Sequence, residues 1–235
     1  MSYQAPIAVA LDAPDLETAA RWASVITPHV STVKIGLELY LRYGPETVAS
    51  IRGASGVDVF LDLKLHDIPA TVAGAVRAVT RMRPDMLTVH AAAGQAAIRA
   101  AAQAAPDCKI VGVTVLTSLG DADLGQIGMP GPVGDAVLRL AVLAVDAGAR
   151  GLVCSPQEVA AVRAEVGPQI TLITPGVRAA GSDAHDQART ATAEDALRAG
   201  ADLLVIGRPI TGAADPGAAA AALAASLRRI ESMPG

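Results

Sequence analysis

Residues 60–69 read FLDLKLHDIP, and this stretch is the most informative part of the chain. It ends an apolar segment with two carboxylates and one ammonium group, those of Asp62, Asp67 and Lys64. Residues 57–63 are mostly apolar or β-branched, with a glycine-containing turn before them and a proline after them, so they predict a β-strand. Charges placed this densely at the end of a buried strand need a physical reason.

Strand geometry predicts how those charges are arranged. Successive side chains of a strand point to opposite faces, so Asp62 and Lys64 share one face, while Asp67 falls in the loop that leaves the strand. The simplest interpretation is a solvated ion pair at a strand end. The leucines that alternate with the charges favour a pocket wall instead, because they give the strand a packed face opposite the charged one.

The rest of the chain repeats the pattern of a short apolar strand followed by a helical stretch. Eight β-α units in order, without a linker or a shift in composition, favour a TIM (β/α)8 barrel, with residues 1–235 as a single domain. The alternative is an open parallel sheet, but residues 11–14, LDAP, lack the Gly-rich fingerprint usual after its first strand. We expect strands near residues 6–11, 32–36, 57–62, 86–90, 109–115, 150–153, 170–173 and 202–206, and helices near residues 15–27, 38–49, 70–82, 94–104, 132–147, 156–165, 190–199 and 213–230.

Composition restricts the classes of function. The chain is 51% hydrophobic but only 2% aromatic, so its core must be built from small aliphatic side chains. A net charge of -4, without a basic tail, argues against a nucleic-acid or membrane surface. Residues 1–6 lack the basic region of a signal peptide, and the Ala-rich segment 217–227 is too short to span a bilayer. We expect a cytoplasmic protein in which Cys108 and Cys154 are reduced and buried.

Polar residues recur at or just after the predicted strand ends. In a barrel these ends meet at one rim, where active sites are built, so the pattern predicts a substrate site. Taken singly, Asp12 could cap the next helix, Thr117 could stabilise a turn, and His90 is more simply a hydrogen-bonded rim histidine than a ligand contact. The residues at strand ends are Asp12, Lys34, Asp62, Lys64, His90, Thr117, Arg178, Gly207 and Arg208.

The last strand predicts a phosphate site. Gly207 has no Cβ, so its backbone N–H can approach an anion, and the guanidinium of Arg208 matches phosphate oxygens. Loops after the last two strands of such barrels commonly bind phosphate. Two long connections, 118–131 and 176–189, also follow strands, and we interpret them as mobile lids over the same rim. The histidines lack the spacing of metal ligands, so we expect no metal.

Together these residues resemble the orotidine 5'-phosphate decarboxylase family. The resemblance extends from Asp12 to Arg208 and departs at Leu65, where many relatives carry an aromatic residue, and at Ala70, where Asn is common. It implies conversion of orotidine 5'-phosphate to UMP and CO2, the last step of de novo pyrimidine biosynthesis, without a cofactor. It rests on DLKLHDIPAT (62–71), Lys34, TVLTS (114–118), TPGVR (174–178) and IGRP (206–209).

The resemblance also implies roles for individual residues. Asp12 and Lys34 would bind the ribose side and Thr117 would lie near the pyrimidine, with Gln187, Gly207 and Arg208 on the phosphate. Family members are homodimers in which the second Asp of the motif, here Asp67, completes the neighbouring subunit's site. The implied catalytic residues are Lys34, Asp62, Lys64 and Asp67, and the implied substrate-binding residues are Asp12, Lys34, Asp62, Thr71, Thr117, Arg178, Gln187, Gly207 and Arg208.

The implied reaction explains why acids and bases alternate in the motif. Loss of CO2 leaves an in-plane electron pair that the pyrimidine π system cannot delocalise, so electrostatics must stabilise it. Lys64 would then donate the proton that replaces CO2, with Asp62 against the departing carboxylate. Two other functions remain open at this point: a Mg²⁺-dependent sugar-phosphate decarboxylase of the same barrel group, and a non-catalytic protein that binds nucleotide phosphates.

Overall fold

A closed barrel of eight parallel strands forms the centre of the molecule. The computed structural model describes residues 3–129, 131–178 and 191–231. The barrel strands follow one another in chain order, and the last pairs with the first, so the predicted (β/α)8 barrel is confirmed. The predicted extent of the domain, residues 1–235, stays a prediction.

Each barrel strand is followed by at least one helix in the described residues. The barrel consists of β1 to β7 and β10, and β8 pairs with β9 outside it. The strands are β1 (Ala5–Ala10), β2 (Val30–Ile35), β3 (Asp58–Leu65), β4 (Met86–His90), β5 (Lys109–Val113), β6 (Gly151–Val153), β7 (Thr171–Thr174), β8 (Val177–Arg178), β9 (Ala191–Thr192) and β10 (Leu203–Ile206). The helices are α1 (Leu16–Ile26), α2 (Leu37–Tyr43), α3 (Glu46–Ser55), α4 (Pro69–Thr80), α5 (Gln95–Ala104), α6 (Asp121–Gln126), α7 (Val133–Asp146), α8 (Val159–Val166), α9 (Ala193–Arg198), α10 (Arg208–Thr211) and α11 (Pro216–Glu231).

The barrel interior is filled by a small apolar layer. This layer draws on six of the barrel strands and on none of the helices, so it lies inside the ring of strands. Asp62 follows Phe60 by two residues on β3, and Thr88 follows Met86 by two on β4, so both point inward above this layer. The layer therefore forms the floor beneath the polar strand ends. Its buried members are Ala8, Phe60, Met86, Val111, Ile173 and Leu203.

The larger apolar cluster lies between strands and helices, and it is built mostly from Ala, Val, Leu and Ile, as the composition predicted. Cys108 and Cys154 are buried and form no disulfide, as predicted for these two residues. Burial raises the pKa of the Cys108 thiol to about 11. None of the described helices has the length and apolar character needed to cross a membrane.

One helix of the predicted set is wrong as a single element. The region 38–49 forms two helices, α2 and α3, because Gly44 and Pro45 interrupt it. Gly44 has a positive φ of 60°, which favours glycine, and its N–H bonds to the carbonyl of Tyr40. Pro45 has no N–H to continue the helix.

Two other connections differ from the prediction. The helix expected over 213–230 begins at Pro216, and the short α10 precedes it directly after β10. The segment 118–131, interpreted as a mobile lid, contains α6, whose Leu124 is fully buried. Burial of a leucine anchors that segment to the barrel. Most of the second predicted lid, 176–189, lies outside the described residues.

The small side chains bring α7 very close to β5, and this contact is testable. A Cβ added to Gly112 would lie 2.8 Å from the Cβ of Ala144 and 3.2 Å from a Leu152 methyl carbon. Since the contact with the Ala144 Cβ cannot be relieved without moving α7 or β5, Gly112→Ala is expected to lower the free energy of unfolding by about 1–3 kcal/mol. The measurement is urea denaturation.

Gly134→Ala is the matched control for that substitution. A Cβ at Gly134, also part of the α7 region, would meet no atom within 4 Å. The control should match the wild-type stability or exceed it by up to about 1 kcal/mol, because Ala favours the helix. A Gly112→Ala protein as stable as the wild type would contradict the close contact.

Candidate active site at the mouth of the barrel

A buried carboxylate between two lysines forms the centre of the site. Asp62 is 8% exposed, and its Oδ2 lies 2.8 Å from Nζ of Lys64 and 3.5 Å from Nζ of Lys34. Lys34 also approaches Oδ1 of Asp12 at 3.9 Å, and Asp12 is the most exposed of these side chains. The structure thus brings together four of the residues that the sequence predicted, and their charges alternate in sign.

Lys64 reaches this position through an irregular backbone rather than through simple strand alternation. Its φ is +50°, in the left-handed region that non-glycine residues rarely adopt. The pairing of β3 with β4 shifts register between Leu61 and Leu65, around the same point. The backbone N–H of Lys64 donates to Oγ1 of Thr88 at 2.7 Å. Strained conformations of this kind cost about 1–3 kcal/mol each and are typical of functional sites.

The two lysines keep Asp62 ionised. Burial alone would raise the pKa of its carboxyl. The charges of Lys34 and Lys64 outweigh burial, together with hydrogen bonds from Lys64 and Thr88, and the pKa is lowered from its ordinary value. The Thr88 hydroxyl lies 3.0 Å from the second carboxylate oxygen, Oδ1. Asp62 therefore presents a fixed negative charge at neutral pH.

His90 lies at the rim, at the end of β4, as predicted. Its ring stacks on that of His66, with 5.2 Å between the ring centroids. Burial, followed by the charges of His66 and Lys64, lowers the pKa of His90, so its imidazole is neutral at pH 7. The sequence predicted a hydrogen-bonded histidine here. In the described part of the chain, however, no group forms a hydrogen bond with the buried Nδ1 of His90.

The predicted phosphate residues lie at the same rim. Gly207 follows β10, and a Cβ there would meet only Cβ of Ala10, at an ordinary 3.5 Å. The protein itself therefore leaves room for a side chain at this position. Arg208 is exposed at the start of α10. The backbone of Arg178 belongs to β8, whereas Gln187 lies outside the described residues.

Three further predicted residues are less closely joined to the centre. Thr117 is half-buried in the turn after β5, and Thr71 is exposed in the first turn of α4. Asp67 is exposed, and its Oδ1 accepts the backbone N–H of Ile68 at 2.6 Å. No ion pair links Asp67 to any residue of 3–129, 131–178 or 191–231, so it does not join the charge array within this chain.

Sequence reasoning missed two contributors to the site. Thr88 carries no charge, and its only signal was a hydroxyl within the apolar strand that ends at His90. Gly36 was also missed: a Cβ there would lie 3.2 Å from both Oδ1 of Asp12 and Nζ of Lys34, so it would press on the array. Among the described residues, no group of three or more His, Cys, Asp or Glu side chains is arranged to hold a metal ion.

Comparisons with known proteins show which family and which solved structures the chain is similar to. The family model described as orotidine 5'-phosphate decarboxylase / HUMPS matches residues 5–223. Proteins named orotidine 5'-phosphate decarboxylase from Thermobifida fusca and Frankia casuarinae are 69% and 59% identical to the chain, covering 98% and 95% of it and 99% and 88% of their own lengths. A crystal structure of orotidine 5'-phosphate decarboxylase from Lactobacillus acidophilus superposes with a TM-score of 0.82 at 32% identity, covering 97% of this chain and 99% of that one. These names favour neither of the two alternative functions.

The lowered pKa of Asp62 makes the stability of the fold depend on pH. A carboxyl with a depressed folded-state pKa stabilises the protein above its unfolded value, near 3.8, and loses that contribution as pH falls through the folded value. Asp62→Asn should cost about 3 kcal/mol at neutral pH, since two lysines lose their shared counter-ion. This difference from the wild type should shrink below about pH 4. Urea denaturation across that range measures it.

Asp58→Asn is the control with the opposite sign. Burial and the neighbouring Asp85 raise the pKa of Asp58, so its charge disfavours the folded state at neutral pH. That variant should be at least as stable as the wild type at neutral pH. A stability gap for Asp62→Asn that stays constant on acidification would refute the charge assignment.

Proposed function

Because the chain belongs to the orotidine 5'-phosphate decarboxylase / HUMPS family, we propose that it removes CO2 from orotidine 5'-phosphate and releases UMP. This is the last step of de novo UMP synthesis. The observation that carries the proposal is the buried Asp62 carboxylate held between Lys34 and Lys64 at the barrel mouth. An array of alternating charges above an apolar floor is suited to a reaction in which negative charge appears at one ring carbon.

In the proposed reaction, the bond between C6 of the pyrimidine and the carboxyl carbon breaks. Its electron pair stays on C6 in the plane of the ring. The Lys64 ammonium group lies at the mouth of the barrel, partly exposed, and both stabilises that pair and donates a proton to it. The products are UMP and CO2, and the Lys64 amine regains its proton from solvent. No cofactor or metal takes part in these steps.

Asp62 contributes through repulsion in the bound substrate. Its ionised carboxylate would face the carboxylate of the orotate ring, and two unit charges about 4 Å apart repel by about 4 kcal/mol at an effective dielectric constant near 20. That repulsion disappears as CO2 leaves. The two lysines make this arrangement stable without substrate, because they keep Asp62 charged.

The remaining predicted residues would hold the nucleotide. Asp12 and Lys34 bind the ribose hydroxyls, and Thr117 lies near the pyrimidine. Gly207 and Arg208 bind the phosphate, and the room above Gly207 supports this role. Binding energy from the phosphate, far from the reacting carbon, supports closure over the substrate and exclusion of water. Thr71, Arg178 and Gln187 complete the proposed substrate contacts.

We further propose a homodimer in which Asp67 enters the partner's site. Asp67 has no ion pair among the described residues of its own chain, although it belongs to the charge motif. Its neighbour Ile68 is 66% exposed, so this large apolar side chain is accessible to a second subunit. A second subunit would cover Ile68, and Asp67 would then lie beside the Lys64 of that second subunit. We place this enzyme in the cytoplasm, in keeping with its free thiols.

Turnover of orotidine 5'-phosphate should require Lys64. The fall in orotidylate absorbance measures the reaction, and EDTA in the assay should leave the rate unchanged, whereas it would abolish a Mg²⁺-dependent reaction. Lys64→Ala should lose turnover while keeping the fold, because the proton donor is gone. Lys109→Ala is the matched control. Lys109, at the start of β5, hydrogen-bonds Thr171 at the start of β7, away from the charge array, so this variant should remain active. Full activity in Lys64→Ala would disprove the assignment.

A mixing experiment tests whether Asp67 acts across the dimer. Lys64→Ala and Asp67→Asn should each be inactive alone, but hybrid dimers of the two contain one intact site, so mixed subunits should regain about a quarter of the wild-type activity. A mixture of Lys64→Ala with Asp62→Asn is the control, since both residues serve the same chain's site and no intact site forms. Recovery in neither mixture would contradict the shared site.

A further inference from the structure

Thr88 connects the two reacting residues of the motif. It lies on β4, with no exposed surface, and its hydroxyl oxygen has two hydrogen-bond partners on β3. The backbone N–H of Lys64 donates to Thr88 Oγ1 at 2.7 Å. The same Oγ1 donates its proton to Asp62 Oδ1 at 3.0 Å. One hydroxyl therefore contacts the backbone of the proton donor and the side chain of its neighbouring acid.

The direction of both hydrogen bonds is fixed by chemistry. A backbone N–H can only donate, so the hydroxyl must accept from Lys64. An ionised carboxylate can only accept, so the single hydroxyl proton must go to Asp62. The hydroxyl proton of Thr88 is therefore oriented toward Asp62. This pairing makes the hydroxyl a rigid link rather than an incidental contact.

The link determines how the Asp62 carboxylate is oriented. Thr88 holds Oδ1, while Lys64 and Lys34 approach Oδ2 at 2.8 and 3.5 Å. With the two oxygens contacted by different groups, rotation of the carboxylate plane would break or lengthen these contacts. Without the hydroxyl, Oδ1 would lose the hydrogen-bond donor that Thr88 supplies in a largely buried environment, and rotation would change the distance from Oδ2 to both lysines.

The link also supports the unusual backbone of Lys64. The φ of +50° at Lys64 is costly for a residue with a Cβ, and the hydrogen bond to Thr88 offsets part of that cost. The register shift between β3 and β4 occurs at the same place, so ordinary strand pairing does not supply a partner for this N–H. Loss of the hydroxyl would favour relaxation of β3 and displacement of the Lys64 side chain.

We propose that Thr88 is a positioning residue for decarboxylation, whose hydroxyl holds the Asp62 carboxylate and the Lys64 backbone in the geometry that the reaction needs. This inference rests on the proposed function. Thr88 acts through its two neighbours and does not touch the substrate. Its effect is therefore expected on the chemical step rather than on nucleotide binding.

Two substitutions separate the hydroxyl from the volume of the side chain. Thr88→Val keeps the shape and removes the hydroxyl, whereas Thr88→Ser keeps the hydroxyl and removes a methyl group. Thr88→Val should lower kcat about a hundredfold with little change in KM, the size expected of a misplacement near 1 Å. Thr88→Ser should keep kcat close to the wild type even though the lost methyl lowers its melting temperature. Thr32→Val is the control: Thr32 is 2% exposed on β2 and contacts Ser31 rather than the charge array, so kcat should not change.

Either of two kinetic results would overturn the inference. If Thr88→Val keeps the wild-type kcat, or if Thr88→Ser loses as much activity as Thr88→Val, the hydroxyl does not position the reacting groups. Amide hydrogen exchange at Lys64, followed by NMR on lysine-labelled protein, gives a readout independent of turnover. Exchange should accelerate in Thr88→Val and stay slow in Thr88→Ser and Thr32→Val, and unchanged exchange in Thr88→Val would also overturn it. A wild-type protein without decarboxylase activity would refute the proposed function, whereas the exchange rates would still decide whether Thr88 holds Lys64.

Discussion

A carboxylate can stay charged inside a protein only if cations and hydrogen-bond donors replace the water that it has lost. Asp62 meets that requirement with two lysines and one threonine hydroxyl. Removing either lysine would leave Asp62 less fully compensated above an apolar floor and would lower the stability of the folded state. A buried Asp62 therefore requires cations and hydrogen-bond donors among the residues around it. The same constraint gives the site its chemical character, since it holds positive and negative charges close together without substrate.

The barrel makes this concentration of charge possible. Asp12, Lys34, Asp62 and Thr88 come from consecutive parts of the sheet. Asp12 follows the end of β1, Lys34 lies near the end of β2, and Asp62 and Thr88 each follow an inward-facing apolar residue by two positions. Phe60 and Met86 belong to the apolar floor, two residues before Asp62 and Thr88 on their strands. Tight packing of the helices, as at Gly112, keeps the strands in place around them. A rigid scaffold of this kind is what fixed electrostatic stabilisation requires.

The periodicity of the sequence was sufficient to predict the barrel and the convergence of Asp12, Lys34, Asp62 and Lys64, because a closed parallel sheet brings all strand ends to one rim. Local irregularities were not predictable in the same way. The left-handed backbone of Lys64 depends on a register shift between β3 and β4, and the role of Thr88 depends on that shift. The helix break could have been predicted from Gly44 and Pro45 themselves, but the helical periodicity around them favoured one continuous helix. Asp67 illustrates a different limit, since the role proposed for it depends on a second subunit.

In the proposed mechanism Lys64, held beside an ionised Asp62, faces the carbon that loses CO2. A crystal structure of the protein with UMP bound would show whether it does. We expect the Lys64 amine about 3–3.5 Å from C6 of the pyrimidine, the range expected for a proton transfer, with Asp62 on the side where the carboxylate was. A pyrimidine bound with C6 turned away from Lys64, or a Lys64 side chain directed to bulk solvent, would contradict it.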